Sequence, residues 1–118
     1  MKKNVSKNLK IVCNQIGSNT KKIILLNQIH SNKFLFIDKN SKSMNKKFKG
    51  DALVTNRTNT PIAILTADCA PILIHDQGKK MIAAIHAGWK GAFKEIVKNV
   101  TKFMIKKGCS PKNMTAVI

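Results

Sequence analysis

Three side chains in this sequence could converge on one metal ion: His30, Cys69 and His86. Each stands at the tip of a short apolar run, where a core strand would need no imidazole or thiol. Two imidazoles and one thiolate form a donor set suited to zinc, with copper as the softer alternative. Three protein ligands leave a fourth position open for water or substrate, which is the arrangement of a catalytic site. Their separations match no compact metal motif. A buried inert thiol and a satisfied core histidine therefore stand beside the metal reading, as does a metal-free cysteine hydrolase with Cys69 as nucleophile and His86 as its base. The third histidine, His75, falls beside a turn, away from the strand end that carries His86, and reads as a surface residue.

A second feature is H-A-G-W-K-G, residues 86–91, leading straight into a helical pattern. Gly88 and Gly91 let backbone approach a ligand closely, the free N–H groups of a helix start favour an anion, and Lys90 adds a point charge, so phosphate fits there. An ordinary strand-to-helix turn with Trp89 packed in the core is the structural alternative. Asp68, beside Cys69, and Asp51 are the carboxylates available for proton transfer or for supporting a metal ligand.

The elements that must position these groups follow from hydrophobic period. Val5, Leu9, Val12 and Ile16 recur at helical spacing before Gly17, predicting a helix over residues 4–15 with one face packed on a sheet. Strands are expected over residues 23–26, 34–37, 50–55, 62–65, 72–75 and 81–85, with the turn at 76–79 joining the last two as a hairpin. Residues 38–49, rich in Lys, Ser and Asn, read as a mobile loop. Phe93, Ile96, Val97, Val100, Phe103 and Met104 trace one face of a single long helix that ends at Gly108 and Pro111. Residues 114–118 begin a further strand.

A chain of 118 residues with 43% apolar content supports one globular domain, residues 1–118. Three cysteines without paired spacing argue against a disulfide framework and for a reducing, cytoplasmic setting. No apolar run approaches membrane-spanning length, so neither export nor a membrane partner is expected. The net charge of +17 raises nucleic acid as a partner. Against it, lysine is scattered, Arg57 is the sole arginine, tyrosine is absent, and most of the phenylalanines sit inside apolar runs rather than between basic residues. A non-catalytic basic module that holds nucleotides or RNA is the remaining alternative.

Four stretches together give the chain a family likeness. Q-I-H at 28–30, G-D-A-L-V-T at 50–55, T-A-D-C-A-P-I-L-I at 66–74 and H-A-G-W-K-G at 86–91 occur in the order and character of the laccase-domain purine nucleoside phosphorylases, also known as multicopper polyphenol oxidoreductases. The resemblance implies an α+β fold of mixed sheets packed face to face with flanking helices. It implies a cytoplasmic zinc enzyme that phosphorolyses adenosine, inosine and methylthioadenosine and also deaminates adenosine, with the metal on His30, Cys69 and His86. Lys90 stands where the family usually has arginine, which reduces a forked grip on an anion to a single ammonium. The family's members are about twice as long, so the chain reads as the central part of such a protein, with its layers incomplete. Three histidines are too few for a multicopper centre, so the expected site holds one metal.

Overall fold

The alternation of A-P-I-L-I-H-D and the almost unbroken apolar run M-I-A-A-I-H-A pair as an antiparallel hairpin of β3 (Ala70–Asp76) and β4 (Met81–Ala87), from Ala70 opposite Ala87 to Asp76 opposite Met81. The computed structural model describes residues 2–20, 22–41 and 48–118. On the other side of β4 lies β2 (Ala52–Thr55), antiparallel, with β1 (Phe34–Ile37) parallel beyond it; β5 (Met114–Val117) is antiparallel to β3. The order is β1-β2-β4-β3-β5. The sheet is mixed because β1 and β2 run parallel while the other pairs run antiparallel. Residues 42–47, the middle of the expected mobile loop, lie outside the described residues.

Burial follows position in the sheet. Central β4 is buried at every residue but Ile82, whereas β3 alternates, with Ile72, Ile74 and Asp76 inward and Leu73 and His75 outward. Against the inner face packs α3 (Ile96–Lys106), whose Ile96, Val100 and Met104 recur one turn apart and are fully buried. Each such side chain contributes roughly 1.5–3 kcal/mol by leaving water. Phe103 completes the layer with its ring 5.0 Å from those of both Phe34 and Phe36. The result is an α+β fold, a mixed five-stranded sheet with flanking helices, and its outer face is partly open. Among the described residues no helix is long and apolar enough to cross a membrane.

Four expectations need correction. The single long helix is two, α2 (Trp89–Phe93) and α3, because Glu95 takes a left-handed backbone with φ 61°. That break swings Phe93 off the buried face, leaving it 85% exposed, so one phenylalanine does lie open among basic residues. The first helix forms as α1 (Lys2–Gln15), but Val5, Val12 and Ile16 are exposed and only Cys13 is buried. Residues 23–26 and 62–65 make no strand and meet only in an isolated parallel bridge between Ile24 and Ile62. The Gln28 side chain takes over the next rung, donating Nε2–H to Leu65 O and accepting Leu65 N–H at Oε1, both at 2.7 Å. A side-chain amide here does the work of a backbone ladder. Finally, the packed Trp89 considered above is instead 75% exposed.

Candidate metal centre

His30, Cys69 and His86 come to the same end of the sheet by three routes. His86 is the penultimate residue of β4, buried to 3% exposure, and its backbone N–H donates to Asp51 O at 2.7 Å. Cys69 is the last residue before β3 and is half-buried. His30 sits in the loop before β1 with φ 58°, a left-handed angle that a side chain rarely tolerates and that turns its exposed ring back over the strand ends.

One ligand atom from each residue lies within 4.8 Å of the other two. Cys69 Sγ is 3.9 Å from His30 Nε2, and the two imidazole rings meet edge to face at 4.9 Å between centroids. In a tetrahedral zinc site the sulfur and an imidazole nitrogen stand about 3.5 Å apart, given bond lengths of about 2.3 and 2.0 Å. The donor set fits such an ion with only a small inward closure. Zinc suits two imidazoles and a thiolate, and copper is compatible with the same atoms. Cys13 and Cys109 are buried away from the centre, and burial, followed by the charge of Asp76, pushes the Cys109 thiol up. The metal-free alternative paired Cys69 with His86, yet the imidazole in direct contact with the thiol is that of His30.

The carboxylate that reaches the histidines is Asp51, at the entry to β2 and fully buried. Oδ1 accepts His30 N–H at 2.9 Å and His86 Nδ1 at 2.9 Å, and Oδ2 accepts Ser31 N–H at 2.6 Å and Ser31 Oγ–H at 2.7 Å. Burial alone would raise the Asp51 carboxyl, but the hydrogen bonds from Ser31, His86 and the His30 backbone outweigh it and hold the group below its ordinary value. Asp68 behaves differently. It is exposed, with φ 72°, and makes no hydrogen bond among the described residues to either histidine or to Cys69. Sequence reading gave Ser31 no part at all, since a serine in a loop carries no signal of a partner twenty residues away.

The glycines of H-A-G-W-K-G allow a close approach within the chain itself. A Cβ on Gly88 would stand 2.7 Å from His30 Cδ2 and 3.5 Å from Cys69 Sγ, and one on Gly91 would stand 2.8 Å from Ser31 O. The close approach that these residues permit is to the chain's own His30–Ser31 turn. Lys90 is exposed, with Nζ 5.5 Å from the Trp89 ring. The centre opens into a cleft of about 300 Å³ walled by Gln28, Leu65, Thr66 and Ala67 beside His30, Cys69 and His86. A larger hollow of about 400 Å³ lies on the outer sheet face between Leu73, Ile82 and Val117, and it is mainly apolar.

The chain is 41% identical over 80 residues to a purine nucleoside phosphorylase of Clostridium acetobutylicum, covering 68% of this chain and 32% of that one. It is 34% identical over 114 residues to a purine nucleoside phosphorylase of Corynebacterium glutamicum, covering 97% and 46%. The chain thus spans less than half the length of these relatives. The crystal structure of the hypothetical protein YfiH of Bacillus licheniformis superposes with a TM-score of 0.86 over 98% of this chain and 46% of that one, at 23% identity, which shows the shared fold. The model of the multi-copper polyphenol oxidoreductase laccase family matches residues 1–118, and the chain belongs to that family.

Proposed function

We propose that this chain carries the metal centre of a zinc-dependent purine nucleoside phosphorylase that acts in the cytoplasm on adenosine, inosine and methylthioadenosine and also deaminates adenosine. The observation that carries the reading is the meeting of His30, Cys69 and His86 ligand atoms within 4.8 Å at the floor of an open cleft. His30 Nε2, Cys69 Sγ and the free nitrogen of His86 would hold the ion, zinc first and copper as the alternative. When bound, it supplies Lewis acidity that polarises an oxygen of phosphate or water.

The chain's own residues do the rest. Lys90, exposed on α2 two residues past Gly88, would offer its ammonium to the phosphate dianion, and the Gly88 and Gly91 backbone holds the corner on which it stands. Asp51 has every lone pair engaged, so it orients rather than exchanges protons. Asp68, exposed and next to Cys69 in the chain, is the carboxylate that would take a proton from the incoming phosphate or water. In phosphorolysis a phosphate oxygen bonds to the ribose anomeric carbon as the glycosidic bond breaks and the purine leaves with the electron pair. In deamination water adds at the purine carbon that bears the amino group and ammonia leaves.

A second reading is favoured by the contact of Cys69 Sγ with His30 Nε2 at 3.9 Å: a thiol nucleophile with an imidazole base and no metal. One experiment separates the two. Adenosine and phosphate are incubated with the chain, and with the chain joined to the flanking segments of its Corynebacterium relative, before and after complete chelation. Adenine reports phosphorolysis and inosine reports deamination. Products that vanish on chelation and return with zinc support the proposal, products that survive chelation support the thiol, and neither product from folded, zinc-loaded protein overturns it.

A further inference from the structure

Asp51 is a single carboxylate that holds two of the three ligand residues, by different means. Toward His30 it acts on the backbone: Oδ1 accepts the His30 N–H, while Oδ2 accepts the N–H groups of Ile29 and Ser31 and the Ser31 hydroxyl, at 3.3, 2.6 and 2.7 Å. These bonds wrap residues 29–31 around the carboxylate. The wrap compensates the left-handed angle at His30. Toward His86 it acts on the ring, since an ionised carboxylate only accepts, and Nδ1 at 2.9 Å from Oδ1 must therefore carry the proton. The lone pair is then left on Nε2. Asp51 is itself fixed at both ends, its N–H donating to Lys33 O at 2.8 Å and its carbonyl accepting His86 N–H at 2.7 Å.

We propose that Asp51 is the positioning residue of the metal centre, selecting the His86 tautomer with a free Nε2 and holding the His30 turn in place, so that both imidazoles face Cys69. The inference rests on the metal-centre reading but not on any nucleoside chemistry. Asp51→Asn is the informative change because an amide cannot satisfy both sides. With its oxygen toward His86, its NH₂ faces the N–H groups of Ile29 and Ser31. Once flipped, its NH₂ faces Nδ1 and drives the ring proton to Nε2, the position a metal needs.

The test uses the full chain and zinc alone. Zinc affinity is measured by competition with a chromogenic chelator, folding by thermal unfolding, and the His86 tautomer by ¹⁵N NMR of the metal-free protein. Asp51→Asn is expected to bind zinc about 10- to 100-fold more weakly and to lose the pure Nδ1–H tautomer. Ser31→Ala, which removes one donor that touches neither imidazole, is expected to change affinity less than about 3-fold, as befits one member of a redundant set. A folded Asp51→Asn variant with unchanged affinity and tautomer overturns the proposal. Should that variant fail to fold, the wild-type spectrum decides: Nδ1–H supports the assignment and Nε2–H refutes it. Failure of the wild type to bind zinc would instead sink the metal reading, while the tautomer would still report on Asp51.

Discussion

His30 and Asp68 both hold left-handed backbone angles at the rim of the cleft, φ 58° and 72°, and residues with a Cβ take such angles at a cost of about 1 kcal/mol or more. What retains His30 there is local: the Asp51 carboxylate beneath its backbone and the bare face of Gly88 beneath its ring. Replacing Gly88 with alanine puts a methyl group 2.7 Å from His30 Cδ2, and the ring must move. Gly88→Ala is expected to fold, with a Tm within a few degrees of the parent, yet to bind zinc at least about 10-fold more weakly by competition titration, in line with other losses of ligand orientation. Unchanged affinity would mean that the ring is not held where it stands. At this scale the meeting of His30, Cys69 and His86 was legible, because histidine and cysteine at the tips of apolar runs are out of place in a core. The Asp51–Ser31 support was not legible, because hydrogen-bond partners about twenty residues apart leave no pattern in composition or period.

Among the elements, the β3–β4 hairpin is the member that carries both Cys69 and His86 to one end of the sheet, and its far end is tied down by Asp76. That buried carboxylate accepts Lys79 N–H at 2.7 Å within the turn and Ser110 N–H at 3.0 Å from the segment leading into β5. The Lys79 bond is the main cause holding the Asp76 carboxyl below its ordinary value of 3.8, against the opposing effect of burial. Because the folded value is lowered, its stabilisation is complete above 3.8 and is lost as pH falls through the folded value. Asp76→Asn is therefore expected to lower the Tm at pH 7, with the gap from the parent narrowing below pH 3.8; a gap independent of pH contradicts the assignment. The hairpin and β1, β2 and β5 were readable from alternation and turn residues. The division of α2 from α3 was not, since Glu95 is an ordinary helix residue whose φ of 61° nothing in its type announces. Residues 23–26 and 62–65 have strand composition, but the Gln28 side chain competes with their backbone pairing.

Across the whole molecule α2 and α3 cover one face of the sheet, and the other is partly bare, with Leu73 at 54% and Val117 at 61% exposure beside the 400 Å³ hollow. Exposed apolar patches of this kind associate. The chain is expected to self-associate with rising concentration in light scattering despite its charge of +17, and Leu73→Lys with Val117→Lys to suppress this at unchanged zinc affinity. Monodisperse parent protein at every concentration would contradict that expectation. The same charge bears on the nucleic-acid alternative, for which steep salt dependence of RNA binding without any product is the expected signature. Fold class was readable from the family likeness that the four linked motifs carry. The bare face was not, because Leu73 and Val117 look like core residues in sequence.

The central claim is that two imidazoles and one thiolate, brought from a loop, the entry to β3 and the end of β4 to one end of a sheet, bind a single ion. X-ray absorption at the zinc edge of the zinc-loaded chain tests it directly. The account predicts, for each zinc, one sulfur at about 2.3 Å and two imidazole nitrogens at about 2.0–2.1 Å, with the sulfur shell gone in Cys69→Ser. A spectrum of the parent chain with no sulfur neighbour, or one unaltered by the Cys69 substitution, would contradict it.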